Sequence, residues 1–399
     1  MKIFLLTPIY ATTTEGSGVT PVVHYFAKEW IKQGHEVFVF NLKAKFPSPY
    51  YWVAKIFKHS LYSKVGAPVP TQKPREKSCV MEGVNVRCVC LKKFVPHSEY
   101  CQSQIEHAVD VIRQCCDRYG VPDIFIGHWD NPQLNVLTRL KDLYNRPTAI
   151  VLHNNKFNYE KVYGTKAVDL LRKIDYIGFR SLIGKKNFEA KYFVPQHSFI
   201  ASSGVPNNFI QAGKDFAPSF DNGVHNFVFV GSLISRKYPC EILKALSMVY
   251  KDKDFHVTFI GDGNERKAIE TYATENGLKD NVIFTGRIGR DEVIKHLKNS
   301  EVFVMISSAE IFGLVYLEAM ALGLIPIGSR DEGIDGIICH GENGFLCKAG
   351  DKYELSVILR QLIGMNKEQL LMISDKAKST SLEYTDSNVA IRYLENFYV

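Results

Sequence analysis

The sequence lacks any apolar run that approaches the about 18 residues needed for a membrane-spanning helix. It also lacks the marks of a secretory signal peptide, because the apolar stretch after Lys2 is short and no small-residue cleavage pattern follows it. Nine cysteines are scattered along the chain and none forms a C-x-x-C motif. We therefore expect a cytoplasmic protein with reduced thiols and no zinc site.

The composition is that of a globular protein. The chain has 399 residues, of which 46% are hydrophobic and 23% are charged, which is enough for two domains with cores of their own. The formal net charge of +7 is a mild excess. It fits anionic ligands, but it is weak evidence for nucleic acid, and we expect no nucleic-acid partner.

Residues 301–330 carry the most informative pattern, which predicts a strand, a turn, a helix over 311–322 and a second strand. Gly313 and Leu314 fall where this helix begins, and the unpaired backbone N–H groups there favour an anion. Glu310 precedes the helix and Glu318 lies about two turns into it, so that their carboxylates are placed to accept hydrogen bonds from sugar hydroxyls. The alternative is that both acids only complement the helix dipole.

The same stretch resembles the signature of the family-four retaining glycosyltransferases, through Glu310–Ile311–Phe312–Gly313–Leu314, then Glu318–Ala319–Met320–Ala321, Gly323 and Pro326. The resemblance implies an α/β protein of the GT-B fold, with two facing Rossmann-like domains and a cleft between them. It also implies a nucleotide-sugar donor that is held mainly by the second domain, where Phe312, Gly313 and Leu314 bind the donor. Glu310 would hold hydroxyls of the transferred sugar, and Glu318 would hold the ribose.

The first domain opens with a β-α-β pattern that has Gly16 and Gly18 in its first turn. A tight turn explains this pair, but the resemblance favours a loop whose backbone approaches the donor phosphate or the acceptor. Two later strands each end in a histidine, His128 and His153, at the sheet edge where α/β proteins bind ligands. A single histidine there is more often structural, yet the resemblance implies a catalytic His153 close to the reacting sugar.

Residues 43–78 interrupt the alternation of strands and helices with interleaved aromatic and basic side chains. This insertion is interpreted as an acceptor-binding flap or as a patch that contacts the membrane surface. The alternative is an elaborated loop whose aromatic side chains pack on their own domain.

In the second domain, a basic loop follows the strand 226–230. Lys237 matches the lysine of the family's loop, whereas Ser232 stands where relatives have an arginine, and Arg236 is the candidate for the missing charge. Full charges beside a helix N-terminus suit a diphosphate, although a solvated basic pair remains the alternative. Gly261 and Arg287 follow the next two strands and are expected near the nucleotide.

The predicted organisation is a first domain over 1–211, a second over 212–383 that opens with a linker at 212–225, and a helix over 384–399 packing back on the first. No D-x-D motif lies at a strand end where it would hold a metal–diphosphate complex. We therefore expect no metal and no other cofactor, with the charge supplied by Lys237, Arg236 and the helix at Gly313.

The expected activity is retaining transfer of a hexose or N-acetylhexosamine, from a nucleotide-diphosphate sugar such as a UDP-sugar, to a glycan or lipid-linked acceptor. The expected setting is bacterial surface polysaccharide synthesis, in the cytoplasm or at the inner face of the membrane. Two alternatives remain, a nucleotide-sugar epimerase of the same fold and a non-catalytic sugar-binding protein.

Overall fold

A computed structural model describes residues 1–10, 21–57, 70–96 and 98–398. The chain separates into two units, Met1–Ser202 together with Val389–Val399, and Ser203–Asn388. Each unit has a mainly parallel sheet and a hydrophobic core of its own, so the molecule is a mixed α/β protein. No helix in the described part of the chain is both long and apolar enough to cross a membrane.

Within the described residues, the sheet of the first unit has eight strands in the order β3-β4-β2-β1-β5-β6-β7-β8. Neighbouring strands are parallel except for the pair β3 and β4. The strands are β1 (Lys2–Thr7), β2 (Glu36–Lys45), β3 (Lys77–Met81), β4 (Val84–Lys92), β5 (Ile124–His128), β6 (Thr148–Leu152), β7 (Tyr176–Phe179) and β8 (His197–Ile200).

Helices cover this sheet, and its central strands are buried on both faces as is typical of parallel sheets. Phe4 on β1 packs against Phe38, Phe40 and Phe125 from the neighbouring strands, with ring centroids 5.2, 5.2 and 5.9 Å away. The helices are α1 (Val22–Lys32), α2 (Ser48–Ile56), α3 (Gln102–Tyr119), α4 (Gln133–Tyr144), α5 (Glu160–Tyr163), α6 (Ala167–Arg172) and α7 (Leu182–Lys191).

The first unit is completed by residues from the far end of the chain. Tyr393 is buried and its ring lies 5.0 Å from Phe26, 5.1 Å from Trp30 and 5.0 Å from Phe199. The Trp30 indole donates a hydrogen bond of 3.0 Å to the carbonyl of Ala390. The last helix therefore fills a hole in the core of the first unit.

The second unit contains six parallel strands in its described residues, in the order β11-β10-β9-β12-β13-β14. The strands are β9 (Asn226–Val230), β10 (His256–Ile260), β11 (Val282–Gly286), β12 (Val302–Val304), β13 (Ile325–Ser329) and β14 (Phe345–Cys347). The helices are α8 (Asn207–Lys214), α9 (Pro239–Val249), α10 (Arg266–Glu275), α11 (Arg290–Lys298), α12 (Leu314–Ala321), α13 (Lys352–Ile363), α14 (Lys367–Glu383) and α15 (Asp386–Glu395), whose residues from Val389 onward belong to the first unit.

The strand order of the second sheet reverses between β9 and β12, which are hydrogen-bonded neighbours although they are far apart in sequence. The loop after β9 and the loop after β12 therefore diverge at the carboxyl edge of the sheet. In open α/β sheets this switch point is where ligands bind.

The boundary between the units differs from the one predicted at residues 211 and 212. Helix α8 and the segment 212–225, interpreted as a linker, lie inside the second unit, where Phe209, Phe220 and Val224 are buried in its core. Gly213 packs so closely on α12 that a Cβ atom would lie 1.9 Å from the carbonyl oxygen of Ala321. These apolar contacts explain why a polar-looking stretch is not an exposed connection.

The insertion 43–78 is built from the end of β2, helix α2 and the start of β3, and its residues 58–69 lie outside the described part of the chain. Some of its aromatic side chains pack on their own unit, since Tyr51 is buried and its hydroxyl accepts a hydrogen bond of 2.9 Å from the Phe46 backbone N–H. Trp52 is 69% exposed and Phe57 is 53% exposed. The insertion thus has a packed side and an apolar exposed side.

Candidate functional site

Lys237 and Glu310 meet at the switch point of the second sheet. Lys237 lies in the turn after β9 and Glu310 in the loop after β12, and the ammonium Nζ is 3.6 Å from the carboxylate Oε2. Lys237 is held against the protein, with Nζ 3.5 Å from Sδ of Met305 and a side chain that is 13% exposed. Ser307 Oγ donates a hydrogen bond of 3.4 Å to the same Oε2. A lysine ammonium and a glutamate carboxylate are thus held close together at the switch point of the sheet.

Arg236 approaches the same carboxylate from a more exposed position. Its Nη1 lies 3.6 Å from Glu310 Oε2, and its side chain is 42% exposed. Nη1 also donates to the backbone carbonyls of Ser308 and Ala309, at 3.2 and 3.4 Å. Arg236 therefore braces the loop after β12 as well as adding positive charge.

Glu332, which sequence reasoning missed, fixes the loop that carries Glu310. One of its carboxylate oxygens accepts from the backbone N–H of Ala309 at 2.9 Å, and the other accepts from the N–H of Glu310 at 2.8 Å. The neighbouring Gly333 donates to the carbonyl of Glu310 at 2.9 Å, and a Cβ atom there would lie 2.3 Å from the Ile311 backbone. The only signal in the sequence was an acid directly before a glycine.

Helix α12 begins at Leu314, because Gly313 has the left-handed φ of +79° that ends the preceding loop. The predicted helical stretch 311–322 therefore starts three residues too early, whereas Gly313 and Leu314 lie at the start of the helix as expected. A Cβ atom on Gly313 would lie 2.6 Å from the ring of Tyr316, whose hydroxyl donates to the carbonyl of Met305. Phe312, which precedes this turn, is buried. The first turn of the helix follows, where the Tyr316 N–H donates to the carbonyl of Gly313 at 3.0 Å.

Glu318 lies on α12 and is almost fully buried. Burial raises the pKa of its carboxyl to about 7, and the nearby Arg290 guanidinium limits the rise. Arg290 Nη2 is 3.8 Å from Glu318 Oε1 and comes from the first turn of α11, a residue that sequence reasoning did not single out. Arg287, which was predicted near the nucleotide, is exposed directly after β11.

Gly261 lets two loops at the carboxyl edge of the sheet touch. It has a φ of +138°, and a Cβ atom on it would lie 1.9 Å from the carbonyl oxygen of Gly231. Its N–H donates to the carbonyl of Gly286 at 2.8 Å. The structure thus gives Gly261 a packing role beside the loop of Lys237, whereas Gly16 and Gly18 lie outside the described residues.

In the first unit, two histidines at strand ends form a buried pair. His128 ends β5 and His153 follows β6, and His128 Nδ1 lies 2.9 Å from His153 Nε2. The ring of His153 stacks on Trp129, with centroids 3.8 Å apart and an interplanar angle of 14°. Burial lowers the pKa of both imidazoles, and the positive charge of buried Arg180 lowers them further.

The second nitrogen of His128 reaches the last helix. His128 Nε2 lies 3.2 Å from the hydroxyl of Tyr393, and both side chains are buried. His153 is therefore one end of a hydrogen-bonded row that runs through His128 to Tyr393. Sequence reasoning named the two histidines but had no signal for Tyr393.

The structure thus brings Lys237, Arg236, Glu310 and Gly313 together in the second unit, with Glu318 further along the same helix. A diphosphate placed here would meet two cations and the N-terminal N–H groups of α12. Within the residues described, no three or more histidine, cysteine, aspartate and glutamate side chains are grouped so that they could hold a metal ion.

Comparison with known sequences identifies the class of protein. Residues 213–380 match the family model described as glycosyl transferases group 1. An uncharacterized glycosyltransferase of Methanocaldococcus jannaschii is 30% identical over 310 residues, which are 73% of this chain and 80% of that protein. The chain belongs to this family, and the resemblance noted from its sequence is confirmed.

A second relative matches over a shorter region. The N-acetyl-alpha-D-glucosaminyl L-malate synthase of Bacillus anthracis is 31% identical over 160 residues, which cover 40% of this chain and 41% of that enzyme. The aligned part is thus less than half of either protein.

Solved structures agree on the fold. The structure of HepE from Anabaena in complex with UDP matches all of this chain and 99% of that chain, with a TM-score of 0.68 and 17% identity. The predicted α/β GT-B fold is confirmed by this likeness and by the two parallel sheets.

Proposed function

We propose that this protein is a retaining glycosyltransferase that moves a hexose or N-acetylhexosamine from a UDP-sugar to a glycan or lipid-linked acceptor. The observation that carries the proposal is the pairing of Lys237 with Glu310, 3.6 Å apart at the switch point of the second sheet. A lysine suits a departing diphosphate, and a carboxylate suits the hydroxyls of the transferred sugar.

The choice of nucleotide rests on a structural neighbour. HepE, which shares the fold, was solved with UDP bound. Glu318 offers this chain a buried carboxylate for the ribose hydroxyls, since it lies on the helix whose N-terminus faces the proposed phosphate position. Leu314 and Phe312 would form the apolar support of that turn.

The proposed reaction is a displacement on one face of the sugar. The bond between the anomeric carbon and the diphosphate oxygen breaks, and the acceptor hydroxyl oxygen bonds to that carbon from the same side. The leaving phosphate oxygen takes the proton of the acceptor hydroxyl. Lys237, Arg236 and the N-terminus of α12 stabilise the charge that grows on the diphosphate, and Glu310 holds the transferred sugar. His153 is proposed as a hydrogen-bond donor to a sugar hydroxyl.

A donor screen tests the proposal without knowledge of the acceptor. UDP-glucose, other UDP-sugars, GDP-sugars and ADP-sugars are added in turn, and thermal unfolding is followed. A UDP-sugar at a hundred times its dissociation constant should stabilise the protein by about 2.7 kcal/mol. The variant Lys237→Ala should lose only part of this effect, whereas Lys279→Ala, which alters an exposed lysine at the opposite edge of the sheet, should keep all of it.

The stereochemistry is tested by NMR of the sugar released when water replaces the acceptor. Slow hydrolysis of UDP-glucose should first give the α-anomer, as retention requires. Release of the β-anomer would contradict retention. Formation of an epimerised sugar with no acceptor would identify an epimerase, and binding of UDP with no turnover of any donor would favour a sugar-binding protein.

We propose that the reaction needs no metal ion, because Lys237 and Arg236 supply the positive charge at the diphosphate position. Hydrolysis of UDP-glucose should then continue at an unchanged rate in excess EDTA. Loss of activity with EDTA and recovery with Mg²⁺ or Mn²⁺ would show that the charge assignment is wrong.

The proposed setting is bacterial surface polysaccharide synthesis at the inner face of the membrane. The support for the membrane location is the exposed side of α2, where Trp52, Val53 and Ile56 are exposed close to Lys55. Replacing Trp52 with serine should reduce sedimentation with anionic vesicles and leave hydrolysis of UDP-glucose unchanged.

A further inference from the structure

In the row formed by Tyr393, His128 and His153, the donor and the acceptor of each hydrogen bond can be assigned. Tyr393 is 1% exposed, and within the described residues its hydroxyl has one hydrogen-bond partner, Nε2 of His128 at 3.2 Å. A buried O–H group that finds no acceptor destabilises the folded protein. The hydroxyl of Tyr393 must therefore donate, and His128 Nε2 must accept.

This assignment at Tyr393 fixes the position of the proton on each histidine in turn. A neutral imidazole carries its single proton on one nitrogen, so that His128, which accepts at Nε2, carries its proton at Nδ1. This Nδ1–H donates to His153 Nε2 over 2.9 Å, and the proton of His153 is thereby placed on its own Nδ1. Arg180 lies near both rings and opposes a second proton on either of them, in keeping with the lowered pKa of both histidines.

The ring of His153 is also fixed in its plane. Trp129 stacks on it at 3.8 Å between centroids, and Trp129 itself is held at a left-handed φ of +64°, which is uncommon for a tryptophan. His153 is 8% exposed to solvent, and its Nδ1 has no hydrogen-bond partner among the described residues. Among the described residues, the ring is thus hydrogen-bonded through one nitrogen only, at the carboxyl edge of the first sheet.

We infer that Tyr393 is a positioning residue that sets the tautomer of His153 through His128, so that His153 presents Nδ1–H as a neutral donor to a sugar hydroxyl oxygen. This inference rests on the proposed function for the identity of the ligand. It assigns to the last helix a part in substrate recognition that acts through the imidazole ring of His128. It also makes His153 a holder of the sugar and excludes an imidazolium that would stabilise charge.

The tautomers are measured directly by nitrogen NMR of the full chain labelled with ¹⁵N-histidine, with the signals assigned from His128→Asn and His153→Asn. Both rings should carry the proton on Nδ1 in the absence of any donor. A His153 protonated on Nε2, or doubly protonated at neutral pH, would overturn the inference. This result does not depend on whether the protein transfers sugar.

The variant Tyr393→Phe keeps the packed ring and removes the donating hydroxyl. The Nε2 signal of His128 should move to the position of a nitrogen without a hydrogen bond, and a fraction of the Nε2–H form should appear at His153. The rate of UDP-glucose hydrolysis should fall up to about tenfold, because one neutral hydrogen bond is weakened. Unchanged signals at both rings would overturn the inference.

Tyr398→Phe is the matched control. Tyr398 follows the same helix and its hydroxyl also lies near a histidine nitrogen, Nε2 of His35 at 3.3 Å, but it takes no part in the row. This variant should leave the signals of His128 and His153 and the rate of hydrolysis unchanged. Altered tautomers in Tyr393→Phe with an unaltered rate would overturn the link between the row and the sugar.

Discussion

Glu318 is a carboxyl group in an environment that favours its neutral form. It is nearly fully buried on α12, and Arg290 at 3.8 Å is its one ion-pair partner in the described chain. Its raised pKa means that the folded protein binds a proton more tightly than the unfolded chain does. The ribose role proposed for it needs the ionised form, so that function and stability favour opposite protonation states.

Glu318→Gln should therefore stabilise the ligand-free protein at alkaline pH. The pKa of Glu318 is raised from 4.5 to about 7, so stability falls as the pH rises through this interval and the full penalty is present above it. The glutamine variant should be more stable by up to about 3 kcal/mol above pH 7. Urea denaturation across the pH range measures this difference, which should vanish below about pH 4.5.

The same variant should bind UDP more weakly, by about 1 kcal/mol or more, because a charge-assisted hydrogen bond becomes a neutral one. Calorimetric titration with UDP measures this loss. Equal affinity in the variant and the parent would remove Glu318 from the ribose site while leaving the stability result intact.

Lys237 should matter more to the rate than to binding of the intact donor. Negative charge grows on the diphosphate as it leaves, and an interaction that strengthens in the transition state changes kcat. We expect Lys237→Ala to reduce kcat roughly a hundredfold or more, as measured by release of UDP. Arg236→Ala should do less, since its guanidinium is more exposed and also braces two backbone carbonyls.

The double variant shows whether the two cations act on one phosphate. Losses that fail to add would place both on the same group. Near-normal kcat in a folded Lys237→Ala protein would instead mean that the basic loop is only a solvated surface.

Among the elements, α12 depends most on a single backbone position. Gly313 needs a positive φ, and a side chain there would strike the ring of Tyr316, which is tied to the Met305 carbonyl. Since Tyr316 and Met305 connect the helix to β12, strain at Gly313 would spread to the loop that carries Glu310.

Gly313→Ala should destabilise the protein by at least about 1–2 kcal/mol from the left-handed backbone alone, with the clash adding to this. Gly289→Ala is the matched control, because Gly289 also caps a helix of the second unit but has an ordinary φ and no neighbour within 4 Å of an added Cβ. Thermal unfolding of both variants measures the difference. Equal losses would show that Gly313 is not special.

The sequence predicts the elements better than their edges. The pattern of apolar strands and helices predicted β-α-β elements, and the family resemblance implied the two Rossmann-like domains. The spacing of Glu310 and Glu318 placed the first in the loop after β12 and the second on the helix that follows. The apolar pattern alone extends α12 back to residue 311, because such a pattern does not reveal a left-handed glycine.

Contacts between distant residues could not be read from local patterns. Glu332 is 22 residues from the N–H group of Glu310 that it binds, and Tyr393 is 265 residues from His128. Nor does local polarity reveal that the segment 212–225 packs in a core. These features arise from tertiary packing, which single-sequence patterns do not encode.

In the molecule as a whole, the two units differ in how many segments of the chain form them. The second unit is continuous, whereas the first needs Val389–Val399 to close its core. Tyr393 and Leu394 are each 1% exposed, so their loss would open a cavity beside Trp30 and Phe26.

A chain that stops after Asn388 should lose stability only in its first unit. Burial of a large apolar side chain contributes about 1.5–3 kcal/mol, so loss of Tyr393 and Leu394 should cost on the order of 3–6 kcal/mol. Hydrogen exchange followed by mass spectrometry should show faster exchange in α1 and β8 and unchanged exchange in β9 to β14. Tyr393→Ala should have the same pattern in weaker form, and Ile391→Ala, at an exposed site of the same helix, should have little effect.

The closing of the first unit by Val389–Val399 also sets an order of events on the ribosome. The residues that fill the hole beside Trp30 are synthesised only after the entire second unit has been synthesised. The nascent first unit must wait with an incomplete core while the second, which needs no later segment, is free to fold. Unfinished chains would then expose the aromatic surface around Phe26 and Trp30, which is the kind of surface that chaperones bind.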